Sequence, residues 1–439
     1  MILGQKYWKK AQRLIPGGTM LFSKNPDLFL PKKWPAYFSK AKGCTLWDLE
    51  NKKYSDLCLM GVGTNTLGYA NNEIDNEVIK KIRQSNMSSL NNIEEIMLAE
   101  KLIELHPWSE MVRFARSGGE ANAIAIRIAR AATNKKKIAL CGYHGWHDWY
   151  LSGNLTNPDN LKNFLFSNVP IKGVPKNLKN TVYPFEYNNF EQLENIVSKN
   201  DIGIVKMEVS RNYLPKKDFL QKIRRLCDKK KIILIFDECT SGFRKTFGGL
   251  HKLFNVNPDM AIFGKALGNG YAINAIIGKR SIMESAKSSF ISSTFWTERI
   301  GSVAGLKTLE VMNQYKSWEL ISKIGNSIKS NWLQLSQRHN IKINIMGIDS
   351  LPNFNFPHKD NLFFKTYISQ EMLKHKILAG NSIYVCIDHN KNILEKYYNI
   401  LDVIFKKIKN CIDQKEKIQS LLKGPVCIAG IRNETKKSK

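Results

Sequence analysis

Two chemically useful side chains follow two successive apolar segments of this 439-residue chain. Asp237 comes directly after the apolar run 232–236, and Lys265 follows the run 260–263 and Gly264. Short apolar runs predict strands of a parallel sheet, and open α/β folds bind ligands at the carboxyl ends of such strands. A partly desolvated lysine can attack a carbonyl carbon as a neutral amine. The two runs therefore indicate a nucleophile and a carboxylate at one sheet edge, although either side chain alone is more often part of a surface turn.

A third segment, Ser117-Gly118-Gly119-Glu120, separates a predicted strand from a predicted helix. The free N–H groups and the positive dipole end of a helix start attract anions, and two glycines let a phosphate approach the backbone. The alternative is a capping box, because Ser-x-x-Glu before an apolar run is also a helix-start signature. A capping box does not explain the two glycines, which weaken a helix. We therefore favour an anion site.

The alternation of apolar runs and amphipathic segments over residues 111–300 predicts an α/β fold with a mostly parallel central sheet. Both chain ends contribute further short strands and helices, which predict a second, smaller α/β domain. We assign residues 1–60 to the N-terminal part of the small domain, 61–312 to the large domain, 313–430 to the C-terminal part of the small domain and 431–439 to a basic tail. The predicted strands are 112–115, 138–141, 202–207, 232–236 and 260–263.

Composition narrows the cellular setting. No stretch has the 18 or so uninterrupted apolar residues of a membrane span, and the start lacks the layout of a signal peptide. These observations predict a cytoplasmic protein without a membrane partner. The eight cysteines are scattered, without Cys-x-x-Cys or zinc spacing, so we predict neither disulfides nor a metal site.

The formal net charge of +29 is large. Such a charge can indicate a nucleic-acid partner or attraction of acidic substrates. The lysines recur throughout the chain without interleaved aromatic residues, so we favour a compositional bias spread over solvated faces. A basic nucleic-acid-binding protein on an inactive enzyme fold remains the alternative from another functional class.

With these segments placed, the chain resembles the class III aminotransferases of fold type I, which use pyridoxal 5′-phosphate (PLP). Within that family it is most similar to the branch that contains glutamate-1-semialdehyde aminomutase. The likeness covers nearly the whole chain and rests on five segments in the family's order: 117–121, 143–145, 236–238 with 242–244, 264–265 and 293–295. It implies a fold-type I transferase, with a mostly parallel sheet in a large domain and a smaller α/β domain built from both chain ends.

The resemblance assigns roles to the residues already noted. Lys265 would form the Schiff base with the PLP aldehyde and move the proton on the substrate carbon. Asp237 would pair with the pyridine nitrogen and keep it protonated. Ser117, Gly118 and Gly119 would hold the phosphate.

Further matches surround the expected ring. Tyr143 would lie against one ring face with His144 close by, and Cys239 would pack on the other face. Glu208 matches the glutamate of the family's Glu-Pro pair, which is Glu208-Val209 here. Thr294 matches a residue that reaches the phosphate of the neighbouring subunit, which implies a homodimer with shared active sites.

The substrate region departs from the aminomutase pattern. After Pro-Gly-Gly that branch carries a serine and an arginine that meet its substrate, and residues 19–24 have neither at the matching place. The main hypothesis is therefore an aminotransferase that moves an amino group from an amino-acid donor to a carbonyl acceptor, with an intramolecular aminomutase as the alternative. Arg211 or Arg299 would bind a substrate carboxylate by a bidentate fork, although each could equally be a surface or interface residue.

Overall fold

The computed structural model describes residues 2–164, 169–210 and 212–429. The chain divides into two compact units, one formed by Met1–Asn71 with Glu319–Lys439 and the other by Asn72–Trp318. The predicted domain limits, 60/61 and 312/313, lie 11 and 6 residues before these divisions, and the domain assignment stays a prediction. The predicted basic tail, 431–439, lies outside the described residues.

The strands are short and are numbered in chain order. They are β1 (Phe38–Lys42), β2 (Thr45–Asp48), β3 (Lys53–Leu57), β4 (Met111–Ala115), β5 (Lys137–Cys141), β6 (Val182–Pro184), β7 (Ile202–Glu208), β8 (Ile233–Asp237), β9 (Met260–Phe263), β10 (Asn274–Gly278), β11 (Asn344–Met346), β12 (Asn353–Asn355) and β13 (Ile377–Ala379).

The helices are numbered in the same way. They are α1 (Leu3–Leu14), α2 (Met60–Gly63), α3 (Asn72–Ile82), α4 (Glu94–Leu105), α5 (Gly118–Thr133), α6 (Asp148–Leu151), α7 (Phe190–Lys199), α8 (Phe219–Lys230), α9 (Arg280–Met283), α10 (Arg299–Tyr315), α11 (Ser317–Arg338), α12 (Asn361–Lys374), α13 (Lys391–Ile412) and α14 (Ile418–Leu421).

The larger unit is built on a seven-stranded sheet with the strand order β4-β10-β9-β8-β7-β5-β6. Strands β9, β8, β7, β5 and β6 pair in parallel, whereas β10 is antiparallel to both of its neighbours. Every residue of β7, β8 and β9 is buried, as expected for strands covered on both faces. This mostly parallel sheet confirms the predicted fold class.

Strand β10 was not among the predicted strands. Its apolar centre is short and follows a glycine-containing segment, so the sequence carries only a weak strand signal there. Strand pairing supplies what local pattern does not: Ala275 lies opposite Phe263 on one side and Phe114 on the other. Tertiary pairing therefore defines this strand.

The smaller unit joins the two ends of the chain in one sheet. Strand β13, from the C-terminal part, pairs in parallel with β3, from the N-terminal part, with Ile377 opposite Ser55. Its main core includes the fully buried Trp332, whose indole N–H donates to the Tyr397 hydroxyl at 3.0 Å. A smaller α/β unit built from both chain ends is thus present, as predicted.

A buried carboxylate anchors the segment that follows β8. Glu238 accepts hydrogen bonds from the His251 ring Nδ1 at 2.8 Å, the His251 backbone N–H at 3.0 Å, the Ser241 hydroxyl at 2.6 Å and the Leu250 N–H at 2.9 Å. Burial would raise the pKa of Glu238, but the His251 and Ser241 hydrogen bonds lower it below its usual value. The charged carboxylate therefore fixes residues 238–251 against the sheet.

We expect Glu238→Gln to destabilise the protein by about 1–3 kcal/mol at pH 7, because one of the two acceptor oxygens becomes an NH₂ group that faces buried hydrogen-bond donors. Chemical denaturation measures the loss, with Glu104→Gln at an exposed ion pair as the control. Since the folded pKa of Glu238 is lowered, its stabilising effect is present above the unfolded pKa and fades as pH falls. The gap between wild type and variant should thus narrow below about pH 4. A gap that does not change with pH would contradict this role.

Candidate active site

The centre of the site is a buried pair formed by Asp237 and His144. Asp237 ends β8, and its Oδ2 lies 2.8 Å from Nδ1 of His144, in the segment after β5. The other carboxylate oxygen accepts the Cys239 N–H at 3.0 Å. Burial would raise the pKa of Asp237, but the His144 hydrogen bond and the nearby Lys206 charge lower it well below its usual range. Asp237 is therefore a charged carboxylate in a water-poor place.

His144 is fully buried and is held at both ring nitrogens. Its Nε2 lies 3.2 Å from the Cys141 carbonyl oxygen, while Nδ1 faces Asp237. Burial lowers the pKa of His144 despite the attraction of Asp237. A carboxylate offers about four acceptor positions, so Asp237 can accept from His144 and Cys239 and still bind a cation.

Lys265 meets the segment that follows Asp237. It begins a short 3₁₀ turn, Lys265–Gly268, directly after β9 and Gly264, and its Nζ donates to the Thr240 hydroxyl at 2.7 Å. Its φ of +45° lies in the left-handed region, which costs a non-glycine residue about 1–3 kcal/mol. The structure thus brings Lys265 and Asp237 to the same few residues, 237–240, at the carboxyl edge of the sheet.

The start of α5 shows the capping-box geometry that the sequence left as an alternative. The Ser117 hydroxyl accepts from the Glu120 N–H at 3.4 Å, and the Glu120 carboxylate accepts from the Ser117 N–H at 2.8 Å. Gly118 and Gly119 are the first residues of the helix, where backbone N–H groups have no intrahelical acceptor. Capping therefore uses Ser117 and Glu120 and leaves the N–H groups of the two glycines for another acceptor.

A close approach of backbone fixes the neighbouring loop on this helix start. Gly145 has a φ of +102°, and a Cβ added there would lie 2.9 Å from the Gly119 Cα. The segment that carries His144 therefore packs directly on Gly119, and only glycine permits both the backbone conformation and the contact.

Asn274, at the start of β10, is a buried residue that the sequence analysis missed. A Cβ added to Gly264 would lie 2.0 Å from the Asn274 Oδ1 and 3.4 Å from the Cys239 sulfur. A Cβ added to Gly118 would lie 3.8 Å and 3.7 Å from the same two atoms. Lys265, the helix start and Cys239 therefore converge around Asn274. The one available signal was a polar residue at the head of the apolar run 275–277.

Tyr143 and Glu208 lie together beside the Asp237–His144 pair. Glu208 ends β7 next to Asp237 in the sheet, and its Oε2 accepts the Tyr143 N–H at 3.0 Å. A cavity of about 390 Å³ opens at the ends of β5 and β7, where Gly142, Glu186 and Glu208 are among its lining residues. The site thus has an adjacent space that can admit a small molecule.

Two predicted site residues, Thr294 and Arg299, do not join this group. Thr294 is exposed, at the start of the 3₁₀ turn Thr294–Thr297. The Arg299 guanidinium already forms a two-pronged pair with Glu94, at 2.8 and 3.0 Å, so a carboxylate of this chain occupies the fork that a substrate was expected to take. Arg211 lies outside the described residues.

The packing around Gly264 gives a test. We expect Gly264→Ala to weaken binding of the expected cofactor, PLP, about tenfold or more, because the added methyl displaces Asn274 and overpacking costs about 1–3 kcal/mol. Gly380→Ala is the control, since a Cβ there would meet only the Ser369 hydroxyl at 3.8 Å. Absorbance titration with PLP measures both. The double variant Gly264→Ala/Asn274→Ala should recover part of the loss, and undiminished affinity in Gly264→Ala would show that the site is not closed as described.

Comparison with known proteins identifies the family. A family model described as "Aminotransferase class-III" matches residues 31–375. The 3-aminobutyryl-CoA aminotransferase of Cloacimonas acidaminovorans (strain Evry) is 32% identical over 398 residues, which cover 87% of this chain and 91% of that protein. The glutamate-1-semialdehyde 2,1-aminomutase of Sulfolobus acidocaldarius is 31% identical over 410 residues, covering 90% and 95%.

Solved structures share the fold. The FumI protein of Sphingopyxis sp. MTA144, solved in a PLP form, superposes with a TM-score of 0.83 at 22% identity, covering 95% of this chain and 99% of that one. An omega-transaminase from Sphaerobacter thermophilus gives a TM-score of 0.81 at 20% identity, covering 92% and 97%. Because the family model spans most of the chain and the predicted resemblance is confirmed, this chain belongs to the class III aminotransferases, enzymes that act on small molecules with PLP as cofactor.

Proposed function

We propose that this enzyme moves an amino group from an amino-acid donor to a carbonyl acceptor, with Lys265 and Asp237 as its catalytic residues. The observation that carries the proposal is the arrangement at residues 237–240. A buried carboxylate is held charged by His144, and Lys265, in the turn after the next strand, donates a hydrogen bond to Thr240.

The residues present fit PLP on two counts. Asp237 keeps a negative charge and spare acceptor positions, as a protonated ring nitrogen requires. Gly118 and Gly119 supply helix-start N–H groups for a phosphate, and the Ser117 hydroxyl, which pairs with Glu120 in the capping box, would turn toward it. When bound, PLP supplies a carbonyl carbon that reacts with amines and a ring that accepts electrons from the substrate carbon.

The chain's own groups then have distinct tasks. The Lys265 Nζ, released from Thr240, provides the amine that attacks a carbonyl and later takes or returns a proton at the substrate carbon. Asp237 holds a proton on the ring nitrogen, and His144 holds Asp237 in its charged form and fixed orientation. We propose that Tyr143 and Cys239 cover opposite faces of the bound ring, as the family resemblance implies.

Two reactions are compared for this site, transfer of an amino group between two molecules and its transfer within one molecule. The cavity carboxylates of Glu186 and Glu208 favour a cationic amine, which supports an amino donor. The 3-aminobutyryl-CoA aminotransferase relative supports intermolecular transfer, whereas several relatives named glutamate-1-semialdehyde 2,1-aminomutase support the intramolecular alternative. An amine screen without a carbonyl acceptor separates them: an aminotransferase stops after one half-reaction per active site, because the amino group has no acceptor, and an aminomutase continues.

A homodimer accounts best for Thr294. This residue is exposed within its own chain, and two nearby aromatic side chains, Phe290 and Phe295, are 88% and 70% exposed. Large apolar side chains in such a cluster favour an interface. In a dimer Thr294 would reach the partner's phosphate site.

None of the helices in the described ranges has the length and apolar character of a membrane span, and a cytoplasmic location stays a prediction.

Lys265 gives the most direct test of the enzyme. Borohydride reduction should fix PLP covalently to wild-type protein, and peptide mass analysis should place it on Lys265. Lys265→Ala should lose the adduct and at least about a thousandfold of turnover, because the nucleophile and the proton carrier are removed together. Lys287→Ala, an exposed surface lysine, is the control. A colourless wild-type protein that takes up no added PLP, and binds duplex DNA in a steeply salt-dependent way, would favour the nucleic-acid alternative.

Mixed dimers test the role of Thr294. Subunits carrying Lys265→Ala are combined with subunits carrying Thr294→Ala, and turnover of the purified mixed dimer is compared with that of each parent. If Thr294 serves the partner's site, each mixed dimer has one intact site and about half the wild-type turnover. Ser292→Ala, also exposed, replaces Thr294→Ala in the control. Activity no higher than that of the Thr294→Ala parent would remove the support for shared sites.

A further inference from the structure

A lysine lies inside the sheet where apolar residues are expected. Lys206 belongs to β7, in which every residue is buried, and its own exposure is 0%. Its neighbours in register are Leu140 on β5 and Ile235 on β8, both fully buried and apolar. In the described part of the chain, its Nζ has no hydrogen-bond partner. A buried ammonium without a hydrogen-bond partner is costly, so its presence requires an explanation.

The sheet register places this charge directly beneath the site. Side chains two residues apart on a strand point to the same face, so Lys206 lies on the face of Glu208, one layer deeper in the sheet. Glu208 is opposite Asp237 on the neighbouring strand, and side chains in register on parallel strands share a face. Lys206 therefore underlies the two carboxylates that line the sheet edge.

We propose that Lys206 is a positioning residue for the cofactor. Its buried ammonium partly neutralises the negative charge of Asp237, so that this carboxylate attracts the proton on the PLP ring nitrogen less strongly. The inference rests on the proposed role of Asp237. Methionine or leucine would fill the same space without desolvating a charge, so packing alone does not account for lysine here.

Electrostatics agree with this geometry. Burial lowers the pKa of Lys206 to about 8, against the attraction of Asp237, Cys239 and Glu208. Lys206 in turn lowers the pKa of Asp237 and of His144. These are the titratable groups that face it from its own strand, from β8 and the segment after it, and from the segment after β5. Near pH 8 Lys206 therefore passes between its charged and neutral forms, and its effect on Asp237 changes with it.

The decisive readout is the pH titration of the ring nitrogen of bound PLP, followed by ¹⁵N NMR of protein loaded with ¹⁵N-labelled PLP. Removing a nearby positive charge makes protonation of the cofactor easier, so Lys206→Met should raise the titration midpoint by about one pH unit. Lys206→Gln, which is also neutral but polar, should give the same shift, because the effect depends on charge and not on packing. Lys137→Met is the control, since Lys137 begins β5 at the opposite end of the sheet and contacts Asn200.

A second readout uses the cofactor-free protein. Since the folded pKa of Lys206 is lowered, its charge costs stability below about pH 8, and this cost disappears as pH rises toward the unfolded value. Lys206→Met should therefore melt at a higher temperature than wild type at pH 7, and the difference should shrink by pH 10. An equal or lower melting temperature at pH 7 would show that the ammonium is not buried without a partner, and would overturn the proposal.

The outcomes separate this inference from the proposed function. Covalent PLP on Lys265 with an unshifted titration midpoint in both Lys206→Met and Lys206→Gln would overturn the role of Lys206 alone. Shifts of opposite sign in the two variants would assign the effect to packing and also overturn it. Absence of covalent PLP from the wild-type protein would instead overturn the proposed role of Lys265.

Discussion

The negative charge of Asp237 is the constraint on which the site depends. A carboxylate buried this deeply would become neutral without partners, and a neutral acid could not hold a proton on a ring nitrogen. The hydrogen bond from His144 prevents this. His144 comes from the segment after β5, and Asp237 ends β8, with β7 between them. The register of three parallel strands therefore sets the 2.8 Å contact, and a slip of any one would break it.

Space in the site comes from glycines as much as from polar groups. Gly118 and Gly264 both approach the Asn274 amide and the Cys239 sulfur, so their missing side chains allow helix start, lysine turn and strand to meet. The surroundings of Lys265 hold it in an unfavourable backbone conformation, which indicates that its position is dictated by the fold rather than by local preference. The same few segments therefore position the charged side chains and leave the space between them.

The sequence pattern predicts the parallel strands well, but it gives little information on contacts between residues far apart in the chain. Strands covered on both faces are mostly apolar, so the sequence predicts β7, β8 and β9, and Asp237 and Lys265 are conspicuous at the ends of β8 and β9. Strand β10 was missed because its apolar run is short, and Asn274 was missed with it. The Arg299–Glu94 pair joins residues 205 positions apart, which spacing does not reveal.

Lys206 shows a different limit of pattern-based prediction. It falls inside a predicted strand, and the apolar residues around it outweigh one lysine in any periodicity argument. The pattern assigns the strand correctly but says nothing about the cost of one charge within it. That cost becomes visible only when burial and the lack of a hydrogen-bond partner are known.

The reversed direction of β10 has a consequence for Lys265. Strands β9 and β10 are consecutive and adjacent, so the ten or so residues between them return along the same rim instead of crossing a face of the sheet. Lys265 therefore belongs to a short connection that is held by a strand at each end. A connection through a crossover helix would instead have its second end far from this edge of the sheet. We expect this short connection to limit the displacement of the Lys265 backbone between successive chemical steps, while its side chain can still rotate.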